Sequence, residues 1–155
     1  MKNKIQVIED LKNAEVFYEK FFLTEPFLME SGKVLENISV AYETYGKLNE
    51  EGTNAILICH ALTGDSHASS YNYPNSREGW WDGVIGKNNA FDPDKYFIVC
   101  SNFLGGCYGT SGPASINPQT VKKYNLSFPQ MSVRDMVNLQ YKLIKHLNIK
   151  RIKTI

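Results

Sequence analysis

The sequence is poor in cysteine, and its cysteines are badly placed for a framework. Cys59, Cys100 and Cys107 make an odd count without CxxC spacing, which argues against a disulfide scaffold and a structural zinc site. Cys59 and Cys100 each close an apolar run and read as small buried hydrophobes. Reduced thiols point to a cytoplasmic setting. Neither charge sign is in excess. The 17 Lys+Arg against 16 Asp+Glu leave a formal net charge of +1, without the concentrated basic face of a nucleic-acid binder. Long apolar runs are missing too. The longest covers residues 55–59, far short of the roughly 20 residues that span a bilayer. Met1-Lys2-Asn3-Lys4-Ile5 has no apolar stretch behind it, so no secretory signal is expected. Repeats, low-complexity tracts and linkers are also absent, which leaves one domain.

What is present suits that domain. A chain of 155 residues, 43% hydrophobic and 12% aromatic, can bury about two-thirds of its unfolded surface. Residues 5–20 carry a weak helical or irregular pattern. Phe21-Phe22-Leu23 and Pro26-Phe27-Leu28-Met29 read as a strand interrupted by proline, with a turn at Glu30-Ser31-Gly32-Lys33. Val34-Leu35 and residues 38–45 return, and in 38–45 the even positions alternate with polar residues as in a half-buried antiparallel strand. Residues 54–60 and 96–101 are continuously apolar, the pattern of strands covered on both faces. Trp80-Trp81-Asp82-Gly83-Val84-Ile85 suggests a short helix anchored against the sheet. Residues 132–147 form the clearest helix. Ser132 and Asp135 make a capping signature, Val133, Met136, Val137, Tyr141, Ile144 and Leu147 recur at helical spacing, and Leu139 and Leu143 widen the stripe. Asn148 stops the helix, and residues 149–155 begin another strand. Lys142, Lys145, His146, Lys150, Arg151 and Lys153 read as a solvated side. The rhythm is an antiparallel hairpin leading into a parallel α/β sheet with flanking helices. Two long loops, 61–79 and 102–130, follow the carboxyl ends of buried strands, where open α/β sheets bind ligands.

Chemistry-bearing residues cluster in those loops. His60-Ala61-Leu62-Thr63-Gly64-Asp65-Ser66-His67 admits four readings. Gly64-Asp65-Ser66-His67-Ala68 approximates a nucleophile elbow around Ser66, but no helix follows. His60, Asp65 and His67 are ordinary metal-ligand types that nothing nearby completes, so no metal is expected. The segment also fits an oxyanion loop, with the Leu62 N–H as donor. Finally, His60 can be a buried strand end bonded to its own loop. The Gly-rich segment 102–113 lacks the helix a phosphate loop needs, since Pro113 and Pro118 deny it. Cys107 has no visible base beside it.

A longer series is more specific. Ala41-Tyr42-Glu43-Thr44-Tyr45-Gly46, the 60–67 segment, Gly79-Trp80-Trp81-Asp82, Ser101-Asn102-Phe103-Leu104-Gly105-Gly106-Cys107, Gly109-Thr110-Ser111-Gly112-Pro113, Ser115-Ile116-Asn117-Pro118 and Arg134-Asp135-Met136-Val137 occur in order from about residue 20 onward. Together they resemble homoserine O-acetyltransferase. The resemblance implies the α/β-hydrolase fold, with residues 1–155 as the N-terminal part of one such domain and the lid and C-terminal part lying outside it. It implies acetyl transfer from acetyl-CoA to the L-homoserine hydroxyl through an acyl-serine, in methionine biosynthesis. No cofactor is implied beyond acetyl-CoA as substrate, and complete members are expected as homodimers away from nucleic acid and membrane. Leu62 would supply an oxyanion N–H, and His60, Ala61, Thr63, Asn102, Gly105 and Gly106 would line the pocket. The family's Gly-Gly-Ser-Met-Gly-Gly elbow, its base and its triad acid match no residue here, so the chain alone is expected to be inactive. Another donor or acceptor, such as succinyl-CoA or serine, and a non-catalytic remnant are the alternatives.

Overall fold

The computed structural model describes residues 18–155, so most of the weak pattern expected over 5–20 lies outside the described residues. The main sheet has five strands in the order β1-β4-β6-β5-β9. They are β1 (Glu19–Leu23), β4 (Ile38–Tyr45), β5 (Ala55–Ile58), β6 (Phe97–Ser101) and β9 (Ile152–Thr154). β4 runs antiparallel to β1 and β6, while β5 is parallel to both β6 and β9. The expected hairpin leading into a parallel sheet is therefore present. Proline splits its first arm as expected: β2 (Phe27–Leu28) pairs only with β3 (Val34–Leu35), while β1 pairs with β4. A second small hairpin joins β7 (Ile116–Asn117) to β8 (Lys122–Lys123).

Alternation sorts the strand residues onto two faces. Ala55, Leu57, Phe97 and Val99 join Val40, Tyr42, Leu139, Leu143 and Ile144 in a core under the single described helix, α1 (Val133–His146). Ile56, Ile58, Ile98 and Cys100 face the other way and pack with Tyr45, Ala68 and Ile85. Both buried-strand expectations hold because loop 66–85 covers this second face. The same cover changes β4. Glu43 and Tyr45 are buried along with Val40 and Tyr42, so the strand is enclosed on both faces and not half-buried.

Three further expectations need correction. Residues 80–85 form turns ending in an isolated bridge from Ile85 to Phe91, because the Ser69, Ser70 and Gly79 bonds to Asp82 tie this segment into a loop. Cys59 is exposed, since it lies just beyond β5 where the chain leaves the sheet, whereas Cys100 is buried as expected. In α1, Leu139, Leu143 and Ile144 are buried, but Val133, Val137 and Tyr141 remain exposed. The helix turns the Leu139–Leu143 side to the sheet, and this leaves the other half of the apolar stripe outward.

Candidate functional site

The carboxyl ends of β5 and β6 lie side by side, and their following loops diverge. Between them and the first turns of α1 is a cavity of about 590 Å³. Cys59, His60, Leu62 and Gly64 form one wall, residues 102–108 the second, and Met131, Val133, Met136, Val137 and Gln140 the floor. The lining is chiefly apolar, with His60, Asn102 and Gln140 as its polar side chains. Of the residues expected at the site, Leu62, His60, Asn102, Gly105 and Gly106 line this cavity, while Ala61 and Thr63 do not.

A tight turn presents Leu62. Gly64 N–H donates to the Ala61 carbonyl at 2.9 Å, which leaves the Leu62 N–H outside the turn's own bond. Leu62 as a whole residue is 98% exposed. His60 Nδ1 lies 2.8 Å from the Ala61 carbonyl and so carries the ring proton, while Nε2 is buried without a hydrogen-bond partner among the described residues. Its ring lies against Phe103, with centroids 4.4 Å apart. His60 is half-buried two residues beyond β5, so it is bonded to its own loop as one reading expected but is not a buried strand end.

The second wall needs its glycine. Gly105 has φ +81°, and an added Cβ would come within 2.1 Å of the Met131 side chain. Asn102 ties the walls together. Its Oδ1 accepts the Ser66 N–H at 2.7 Å, and its Nδ2 donates to Ser66 Oγ at 3.1 Å and to the Tyr108 carbonyl at 2.6 Å.

Ser66 is buried, bonded to Asn102 and Glu43, and outside the cavity lining, an arrangement unlike an exposed elbow nucleophile. His67 sends Nδ1 to Glu43 Oε2 at 3.0 Å and Nε2 to the Arg77 carbonyl at 2.9 Å. It therefore does not converge with His60 and Asp65 on one point. His146 stacks on Phe21, on the far side of α1.

Sequence reasoning missed Glu43, Tyr45, Asp82, Met131 and Gln140. A carboxylate between the buried positions Tyr42 and Tyr45 was a readable signal. Asp82 and Met131 follow from loop paths that no local pattern encodes, and Tyr45 and Gln140 from how β4 and α1 pack. Asp82 accepts from Ser69 Oγ at 2.7 Å, from Ser70 N–H at 2.6 Å and from Gly79 N–H at 2.9 Å. Burial pushes its carboxyl up, and these donors more than offset it, holding Asp82 below the usual carboxylate range. It thereby fixes the loop that roofs the second face of the sheet.

No family model matches this chain. The homoserine O-acetyltransferase of Deferribacter desulfuricans is 62% identical over 129 residues, covering 83% of this chain and 34% of its own length. That of Methanosphaerula palustris is 59% identical over 132 residues, covering 85% of this chain and 27% of its own. Over most of its length this chain is similar to homoserine O-acetyltransferases. It spans about a third or less of the length of these curated relatives. Solved structures agree on the fold. Homoserine O-acetyltransferase from Bacillus anthracis superposes with a TM-score of 0.80 at 38% identity, over 87% of this chain and 38% of that one. Esterase E22 superposes with a TM-score of 0.78 at 36% identity, over the same shares of 87% and 38%. The architecture is that of the α/β-hydrolase fold.

Proposed function

We propose that this chain supplies the oxyanion-binding wall and pocket loops of a homoserine O-acetyltransferase. The observation that carries the reading is that Leu62, whose amide has no hydrogen-bond partner among the described residues, lines an apolar cavity in a chain 62% identical to such an enzyme over 129 residues. In this reading a serine hydroxyl attacks the acetyl-CoA thioester carbonyl and its proton passes to a histidine. The Leu62 N–H binds the oxygen as negative charge develops. Coenzyme A leaves as the thiol, and the homoserine hydroxyl then takes the acetyl group from serine. Asn102, Gly105 and Gly106 shape the pocket, and His60 backs its wall.

The nucleophile, base and triad acid come from residues outside those described. Supporting this, Ser66 is buried and doubly bonded, both ring nitrogens of His67 are engaged, His60 Nδ1 is held by its own loop, and His146 is remote. The chain alone is then inactive, and its reduced cysteines suit a cytoplasmic setting. The similarity to esterase E22 makes the acceptor the point to test.

The test is a chimera in which residues 18–155 replace the matching segment of the Deferribacter desulfuricans protein. Coenzyme A release that depends on L-homoserine supports the reading. A folded chimera that hydrolyses acetyl esters and ignores homoserine overturns it. In an active chimera Leu62→Pro, which deletes the N–H, is expected to lower kcat about 10²- to 10³-fold, whereas Leu62→Ala stays near the parent.

A further inference from the structure

Beneath the cavity lies a polar cluster that the proposed chemistry does not use. Glu43 projects from β4, and His67 follows the turn that carries Leu62. Their side chains are only 5% and 3% exposed, and Nδ1 meets Oε2 at 3.0 Å. On the far side of the ring, Nε2 faces the Arg77 carbonyl at 2.9 Å. A carbonyl can only accept, so Nε2 carries a proton. The Nδ1–Oε2 contact needs a second proton, or two lone pairs would face each other in a buried site.

The other partners of Glu43 are donors. Tyr45 accepts the Ser69 N–H at 3.0 Å, which leaves its own O–H for Glu43 Oε2 at 3.0 Å. Ser66 Oγ accepts from Asn102 and turns its O–H toward Glu43 Oε1 at 3.5 Å. Asp65 and the Cys100 thiol are the other titratable groups near Glu43. Burial pushes the Glu43 carboxyl up, while the hydrogen bond and charge of His67 work against that shift.

We propose that Glu43 and His67 share one proton along the Nδ1–Oε2 line, and that this buried, net-neutral pair positions both loops that wall the cavity. The link to the loops is direct. Glu43 holds Ser66, Ser66 exchanges two hydrogen bonds with Asn102, and Asn102 holds the Tyr108 carbonyl at 2.6 Å. His67 at the same time fixes segment 67–77 through the Arg77 carbonyl. Neither Glu43 nor His67 lines the cavity, and the relay joins them to it, so the pair is a positioning device and not a catalytic one. That the pair thereby aims the Leu62 amide rests on the function proposed above.

The test is a ¹H–¹⁵N spectrum of the His67 ring in the labelled full chain at pH 7. Protons on both ring-nitrogen lines are expected, and a bare Nδ1 overturns the proposal. In Glu43→Gln the second proton should disappear. The Gly64 and Ser66 amides should then exchange about tenfold faster while those of Leu139 and Leu143 hold their rates. An unchanged ring spectrum overturns the shared proton. Should Glu43→Gln not fold, Ser66→Ala cuts the relay and leaves the pair. Faster exchange at Gly64 with an unaltered His67 spectrum is expected, and unaltered exchange overturns the positioning role. None of these readouts needs turnover. Acyl transfer failing beside the expected spectrum would reject the function and leave the pair standing, and the reverse result would do the opposite.

Discussion

Ser132 accepts the Asp135 N–H at 3.1 Å, and Asp135 Oδ2 accepts the Ser132 N–H at 2.9 Å, completing a capping box. Ser132→Ala should cost about 1 kcal/mol, read as a lower urea midpoint with an unchanged slope. Asp135 also accepts the Glu30 N–H at 2.9 Å, which joins the helix start to the β2–β3 turn. Burial pushes its carboxyl up, and the bonds from Ser132 and Glu30 overcome this and hold it low. A depressed carboxylate stabilises the fold fully above its ordinary value near 4, and that contribution fades as pH falls through the folded value. Urea midpoints should therefore drop below about pH 4, and they should drop less in Asp135→Asn. Thiol chemistry offers a second check. Cys59 and Cys107 are exposed, while burial encloses the Cys100 thiol and pushes it up. A thiol reagent should label the two exposed cysteines quickly and Cys100 only on unfolding; three equal rates would contradict this packing.

At the scale of elements, the loops after β5 and β6 wall the site, and β4 supports them. β4 keeps Glu43 and Tyr45 inward because the neighbouring loop supplies donors and acceptors for them. The loop after β6 turns at Gly105, whose φ of +81° lies in the left-handed region. Gly105→Ala should cost about 1–2 kcal/mol in backbone strain and displace the Met131 side chain from the cavity floor. Calorimetry reads the first effect, and chemical shifts of the Met131 methyl read the second. Helix α1 was legible in extent and capping, since Ser132, Asp135 and the apolar spacing are local signals. Which half of its stripe would be buried was not legible. Val133, Val137 and Tyr141 share the 3.6-residue period with Leu139 and Leu143, and only docking on the sheet separates them.

At the scale of the molecule, the exposed side of α1 adjoins a groove of about 390 Å³ whose lining includes Leu57, Val137, Tyr141, Ile144, Ile152 and Ile155. Among the described residues β9 beside it is an edge strand, paired only with β5. Apolar surface next to a strand edge promotes association, and a net charge of +1 does little to oppose it. The 155-residue chain is expected to sediment as concentration-dependent oligomers, and Val137→Lys with Tyr141→Lys should shift it toward monomer. A monomer at all concentrations with a sharp two-state melt would contradict this.

The amino-acid sequence by itself determined the strands of the main sheet, the first hairpin, the helix cap and the positions of both pocket loops, but not the β7–β8 hairpin within the second loop. Each depends on neighbours a few residues apart: alternation, apolar runs, turn glycines and a Ser–Asp cap. Tertiary structure alone decided that Glu43 meets His67, that Asn102 bridges the two walls, that Asp82 anchors the loop over the second face, and that Cys59 is exposed while Cys100 is buried. Those pairings join residues 13 to 36 positions apart through loops whose paths follow the sheet. Burial then makes each polar group's partner obligatory, because an unpaired one would lose its hydrogen bonds to water without replacement.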